Sequence, residues 1–153
     1  DFSTEELERH FDFYEPFTVH ESSLSPCVHS IQAAKLNRMD QAYEFYLRTS
    51  RLDLDDYNHE VEEGLHITSM AGTWMSIVEG FGGMRVLDNT LSFSPKIPNQ
   101  WDSYSFKVNF RNQVITVKVS KKGTHFELDG KNEVKILVNG EITTISPNNL
   151  QTA

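Results

Sequence analysis

The chain holds a single cysteine, Cys27, so no disulfide can close within it. A small secreted scaffold stapled by cystines is therefore excluded. It also lacks any apolar run long enough to span a membrane and any signal-like stretch, so the expected setting is a soluble, reducing compartment, the cytoplasm, without a membrane partner. Basic residues are scarce in the first part: residues 1–80 carry sixteen Asp/Glu against five Lys/Arg. Phosphate-backbone binding rests on clustered Lys and Arg, so nucleic acid is not an expected partner. Residues 81–153 carry six acidic and nine basic residues, and the two parts contribute −11 and +3 to the net charge of −8. There the basic residues alternate with apolar ones, as on a solvated strand face. No internal repeat or low-complexity tract is present.

What is present divides the chain by period. Ser3-Thr4-Glu5-Glu6 has the form of a capping box, with Leu7 and Phe11 on one side, and Tyr14-Glu15-Pro16 ends the short helix it opens. Ser25-Pro26 reads as an N-cap followed by proline at the first helical position, with Val28, Ile31, Ala34 and Leu36 as the apolar stripe up to Asn37. A second stripe, Ala42, Tyr43, Phe45, Tyr46 and Leu47, follows Asp40 as a new N-cap, and the two form a helical hairpin. The acidic stretch 53–63 has no apolar period and is expected to be a loop with a short helical turn. From Leu65 the residues Ile67, Met70, Ala71, Trp74, Met75, Ile77 and Val78 are apolar almost all round, which predicts a buried helix ended by Gly80, Gly82 and Gly83.

After Met84 the period falls to two. Seven strands are predicted, 84–87, 91–93, 104–110, 114–120, 124–128, 133–138 and 141–145, separated by Asp88-Asn89, Arg111-Asn112, Lys121-Lys122-Gly123, Asp129-Gly130 and Asn139-Gly140. Asn139-Gly140 between alternating runs signals a tight hairpin, because a type I′ turn needs positive φ at both residues. Seven short strands at regular spacing imply a small antiparallel β-sandwich. The fold class is therefore α + β, helices followed by strands.

Two polar strings interrupt the helical part, residues 20–26 (His-Glu-Ser-Ser-Leu-Ser-Pro) and 64–74 (Gly-Leu-His-Ile-Thr-Ser-Met-Ala-Gly-Thr-Trp). Each places hydroxyls, backbone N–H groups and an imidazole near a helix start, the usual construction of an anion pocket. Taken alone, Ser22 and Ser25 also read as helix caps, and His66 as a satisfied core histidine. Trp74 reads as core. The acidic residues around Asp53 do not form an EF-hand, which wants glycine and glutamate where Asn58 and Gly64 stand. His59-Glu60-Val61-Glu62-Glu63 lacks the second histidine of the zinc-protease pattern. Gly80-Phe81-Gly82-Gly83 follows a helix, not a strand, and is no dinucleotide fingerprint. Cys27 has no base beside it and reads as a packed residue.

Residues 14–29, 53–58, 64–74 and 80–85, in that order, resemble the carboxy-terminal part of glycoside hydrolase family 65. The likeness covers nearly the whole chain and is densest over residues 13–86. It implies that residues 1–83 are the last helices of an (α/α)6 catalytic barrel and that residues 84–153 are the terminal β-sandwich. The missing initiator methionine fits a carboxy-terminal fragment, whose partner would then be the upstream segment of the same polypeptide. The implied activity is inverting phosphorolysis, in which inorganic phosphate attacks the anomeric carbon of an α-glucoside, maltose first and trehalose, kojibiose or nigerose as alternatives. Phosphate replaces the base-activated water of an inverting glycosidase, so one carboxylic acid suffices.

By the resemblance that acid lies upstream, so no catalytic residue is expected here, and Glu15, Glu21 and Glu79 are not assigned the role. The phosphate pocket does map onto this chain: Ser22 and Ser23 as hydroxyl donors, Gly72 and Thr73 as backbone and hydroxyl donors, and His66 as an imidazole donor. No metal or cofactor is implied, inorganic phosphate being a cosubstrate, and a homodimer is the expected assembly. Two other readings stay open: a phosphate-independent hydrolase of the family, and a non-catalytic sugar-binding or assembly domain drawing on Trp101, Tyr104 and Phe106. Alone, the chain is expected to be catalytically inactive.

Overall fold

The computed structural model describes residues 2–20, 22–147 and 151–152. Glu21, within the first polar string, and the outer bounds Asp1 and Ala153 of the expected domains lie outside the described residues. The chain forms two compact units, Asp1–Gly80 and Phe81–Ala153.

The first unit is helical. Helix α1 (Thr4–Tyr14) starts at the expected capping box. Glu6 N–H donates to Ser3 Oγ at 3.2 Å, and Ser3 N–H donates to the Glu6 carboxylate at 2.8 Å. Such a cap satisfies two N–H groups that a helix start otherwise leaves unpaired. A 3₁₀ turn, Glu15–Phe17, follows at Pro16. Helices α2 (Ser25–Lys35) and α3 (Met39–Ser50) form the expected hairpin. Asn37, in the left-handed region at φ 62°, reverses the chain between them. Ser30 Oγ clips them together by donating to the Ala42 carbonyl at 2.8 Å.

Both of these helices start one residue or more earlier than expected. Ser25 is already helical and Leu24 flanks it, so the Ser25 hydroxyl is turned to the His20 ring, not to its own helix. Helix α3 is flanked by Arg38 and takes Asp40 into its first turn, where a carboxylate complements the helix dipole. Arg38 in turn forks onto Asp12 and Glu8 of α1.

Helix α4 (Ile67–Met75) departs furthest from expectation. Only Ser69 and Gly72 are buried in it, whereas Ile67, Met70 and Trp74 are 65%, 48% and 49% exposed. The reason is steric. The helix packs on α2 and α3 through its small residues, and among the described residues these two helices cover only that one face. Beyond it the backbone widens into a π-helical stretch, Ser76–Phe81, which buries Ser76, Val78 and Phe81. Within 53–63 the expected turn of helix is a 3₁₀ turn, Val61–Glu63.

The second unit contains β1 (Arg85–Leu87), β2 (Thr90–Phe93), β3 (Ser103–Phe110), β4 (Gln113–Ser120), β5 (Gly123–Asp129), β6 (Val134–Val138), β7 (Glu141–Ile145) and β8 (Gln151–Thr152). They make two four-stranded sheets, ordered β1-β2-β6-β7 and β3-β4-β5-β8. Asp88-Asn89, Arg111-Asn112 and Asn139-Gly140 all have positive φ at both positions, as two-residue type I′ hairpins demand. Alternation does the rest: Phe106, Val108, Ile115, Val117, Val119, Phe126 and Leu128 point inward from one sheet. Phe93 of the other sheet meets the Phe106 and Phe126 rings at 6.3 and 5.5 Å.

The expectation of a purely antiparallel unit is corrected by one pair. Strands β2 and β6 run parallel, with Leu91 beside Ile136 and Phe93 beside Val138. The chain leaves the first sheet after β2, builds β3, β4 and β5 in the second, and returns next to β2, so the crossover fixes the direction. Strand β8, which pairs with β5, was not expected from the sequence.

Candidate anion-binding site

The first polar string is the loop entering α2, and the second leads into and through α4. One contact joins them: Ser23 Oγ lies 3.0 Å from Thr68 Oγ1, 45 residues away in sequence. Thr68 is the second residue of α4, so the hydroxyl pair stands at the positive end of that helix dipole. Ser22 is next to this pair, but its Oγ accepts a 3.3 Å bond from Leu24 N–H, the local turn that serine hydroxyls favour.

What brings the two strings together is a close helix crossing. A Cβ at Gly72 would stand 2.9 Å from both Cβ and Sγ of Cys27 and 3.3 Å from Thr49 Cγ2. Glycine therefore lets α4 approach α2 and α3 more closely than any other residue could. Ser69 Oγ, donating to the Thr49 carbonyl at 2.6 Å, holds the same face. Gly72 thus sits in the packing seam, about 6 Å along the axis from Thr68, and supports the hydroxyl pair by position. Thr73, half-buried, donates its hydroxyl back to the Ser69 carbonyl at 2.9 Å. Burial pushes the Cys27 thiol up from its ordinary value, so it remains a neutral packing group.

His66 flanks the start of α4 and is gripped by Asp53. One carboxylate oxygen accepts from His66 N–H at 3.0 Å, and the other lies 2.6 Å from Nδ1. Nε2 is 3.5 Å from the Glu60 carboxylate. The Asp53 hydrogen bond raises the imidazole above its usual 6.5, and the same bond lowers the Asp53 carboxyl below 3.8. The signs define a window. His66's share of the stabilisation is complete below 6.5 and disappears as pH rises through its raised value. Asp53's share is present above 3.8 and disappears as pH falls through its lowered value. In Asp53→Asn the His66 titration midpoint, followed by NMR, is expected to fall back toward 6.5; an unmoved midpoint would refute the pairing as its cause.

Sequence reasoning missed three residues here. Thr68 lay inside a quoted string but carried no distinguishing signal, and Asp53 looked like one member of a solvated acidic loop. Arg48, the third, reaches back from α3 and donates from Nη2 to the His20 carbonyl at 2.6 Å. It also lies 4.8 Å from the centre of the Tyr57 ring, in a cation–π arrangement. The strings contain no arginine or lysine, and Arg48 secures the loop by its backbone. Among the described residues no helix is long and apolar enough to cross a membrane.

Comparison with known proteins bears on both units. Residues 1–75 match the profile of the glycosyl hydrolase family 65 central catalytic domain, and residues 84–145 that of the family's C-terminal domain. The chain is 60% identical over 127 residues to a maltose phosphorylase of Bacillus subtilis, a match covering 83% of the chain and 17% of that protein. It is 47% identical to an α,α-trehalose phosphorylase of Thermoanaerobacter brockii, covering 83% of the chain and 16% of that protein. It is 34% identical to a kojibiose phosphorylase of Halothermothrix orenii, covering 97% and 20%. A solved structure described as a "putative kojibiose phosphorylase from human microbiome" superposes with a TM-score of 0.92 at 40% identity, over 99% of this chain and 22% of that one. The chain thus spans about a fifth or less of the length of these relatives.

Proposed function

The chain belongs to glycosyl hydrolase family 65, and from that premise we propose that it supplies the phosphate-binding residues of an inverting disaccharide phosphorylase that splits maltose into β-glucose 1-phosphate and glucose. The observation that carries this reading is the meeting of Ser23 and Thr68 at the head of α4, where hydroxyls and a helix dipole converge on one spot. Around it Ser22, Ser23, His66, Gly72 and Thr73 make up the proposed pocket: Ser22 and Ser23 donate hydroxyls, His66 presents a proton-bearing imidazole, Gly72 lets α4 pack close to α2, and Thr73 offers its hydroxyl from the same helix. The attacking phosphate oxygen then needs no carboxylate base, and the acid that protonates the departing sugar comes from a segment upstream of this chain. Inorganic phosphate is the cosubstrate, and no cofactor takes part.

In this reading residues 1–83 complete an (α/α)6 barrel and residues 84–153 are a terminal β-sandwich. Two features support it. The exposed Ile67, Met70 and Trp74 side chains of α4 offer an apolar face that neighbouring barrel helices would cover, and the Phe93 contacts join the two sheets through their inner faces. Maltose is preferred over trehalose and kojibiose because identity to the maltose phosphorylase is higher, 60% against 47% and 34%. The test is release of glucose 1-phosphate from maltose by the full-length polypeptide, with and without inorganic phosphate. Product that depends on phosphate is expected. Phosphate-independent glucose would identify a hydrolase, and turnover of trehalose or kojibiose alone would replace the substrate.

A further inference from the structure

Glu15, His20 and His29 have no part in the phosphate pocket, yet three separate local elements bring them together. Glu15 opens the 3₁₀ turn, His20 stands in the loop that follows, and His29 lies in the second turn of α2. One ligand atom from each lies within 4.8 Å of the others. His20 is the informative member. Its side chain is only 9% exposed, and Nε2 points at the Glu15 carboxylate from 3.6 Å without making a hydrogen bond. Nδ1 is 2.9 Å from Ser25 Oγ. An Nδ1–H donated to Ser25 leaves the Nε2 lone pair facing a carboxylate, an arrangement of two acceptors that a cation between them would resolve. His29 Nδ1 is likewise buried without a hydrogen bond, and the His20 and His29 rings meet edge to face at 4.6 Å.

We propose that Glu15, His20 and His29 form a binding site for a divalent first-row metal ion of the zinc class, which pins the loop carrying Ser22 and Ser23 to helix α2. Two imidazoles and one carboxylate are a recurrent donor set for such an ion, with the remaining position left to water. Ser25 supplies the outer-shell hydrogen bond that fixes the tautomer and orientation of a ligating histidine. Modest closure is required, since the atoms stand somewhat further apart than ligands on one ion. The Glu15 side chain is flexible and supplies it. The ion would act on structure, closing the segment from 15 to 29, and would not touch the reacting sugar.

The test uses the full protein, stripped with a chelator and titrated with Zn²⁺ alone, and separately with Co²⁺ to read coordination from its visible bands. One Zn²⁺ per chain and the spectrum of low-coordinate Co²⁺ are expected. Glu15→Gln and His29→Gln should each weaken binding by about tenfold or more, and Ser25→Ala by about tenfold. His66→Gln should leave binding intact, since His66 belongs to a different cluster. Circular dichroism of each variant separates loss of a ligand from loss of fold. Failure of the folded wild-type protein to bind Zn²⁺ would overturn the proposal. So would equal binding by the folded Glu15→Gln and His29→Gln variants, or a loss confined to His66→Gln.

Discussion

Gly72→Ala is expected to destabilise the protein, although alanine is the better helix former. In an exposed helix interior the exchange would gain about 1 kcal/mol. Here the new methyl would arrive 2.9 Å from both Cβ and Sγ of the buried Cys27, with Thr49 Cγ2 at 3.3 Å behind it. Neither neighbour is the far end of a flexible side chain, so α4 must move away from α2. Overpacking of this kind costs about 1–3 kcal/mol. The clash outweighs the propensity gain, and a net loss of up to about 2 kcal/mol follows, a fall in the unfolding temperature on the order of 5 °C. Thermal unfolding of Gly72→Ala, Cys27→Ala and the double variant provides the check. Removing Sγ relieves one of the two close contacts, so the double variant should be more stable than the sum of the single effects predicts. A neutral or stabilising Gly72→Ala would mean that the crossing is looser than it stands here.

That seam also shows where sequence reasoning ends. The resemblance makes Gly72 a backbone donor to an anion, and the residue itself signals close backbone approach without saying to what. Its neighbour is Cys27, some 45 residues earlier, and only the tertiary crossing reveals it. The strands were far more legible. Their alternation and the positive-φ pairs at Asp88-Asn89, Arg111-Asn112 and Asn139-Gly140 are local properties, written where they act. The parallel β2–β6 pairing was not legible, since a return crossover depends on strands 40 residues apart.

Helix α4 marks the same boundary in another way. Its all-round apolar pattern predicts a buried helix, whereas among the described residues Ile67, Met70 and Trp74 stand exposed and only the small-residue face is covered, a difference that period alone does not reveal. At the site, the serines were legible from helix-start chemistry, whereas Thr68, Asp53 and Arg48 acquire their roles only from partners far along the chain. With Asp53 and Glu60 beside its two ring nitrogens, His66 keeps its proton to higher pH than a free imidazole; in the proposed pocket it would be a protonated donor where neither string has an arginine or lysine.

Ser23→Ala, made in the full-length polypeptide, is expected to raise the apparent KM for phosphate by about 10–100-fold and to leave that for the disaccharide nearly unchanged. A hydrogen bond to a charged group contributes about 1.5–3 kcal/mol, and each 1.4 kcal/mol is a factor of about ten. The selectivity follows from position. Ser23 Oγ pairs with Thr68 Oγ1 at the head of α4, so the substitution removes one of the two hydroxyls that the proposed pocket offers to the anion. Thr68→Val should act in the same direction, and Ser23→Thr, which keeps a hydroxyl, should restore much of the loss. Thr73→Val should also raise the phosphate KM more than the disaccharide KM, but by less, because the Thr73 hydroxyl already donates to the Ser69 carbonyl. A uniform loss in both constants would indicate damaged folding or general positioning. An unchanged phosphate KM in both Ser23→Ala and Thr68→Val would detach phosphate from this corner of the molecule, and the hydroxyl pair would then be a structural clip between the loop and α4.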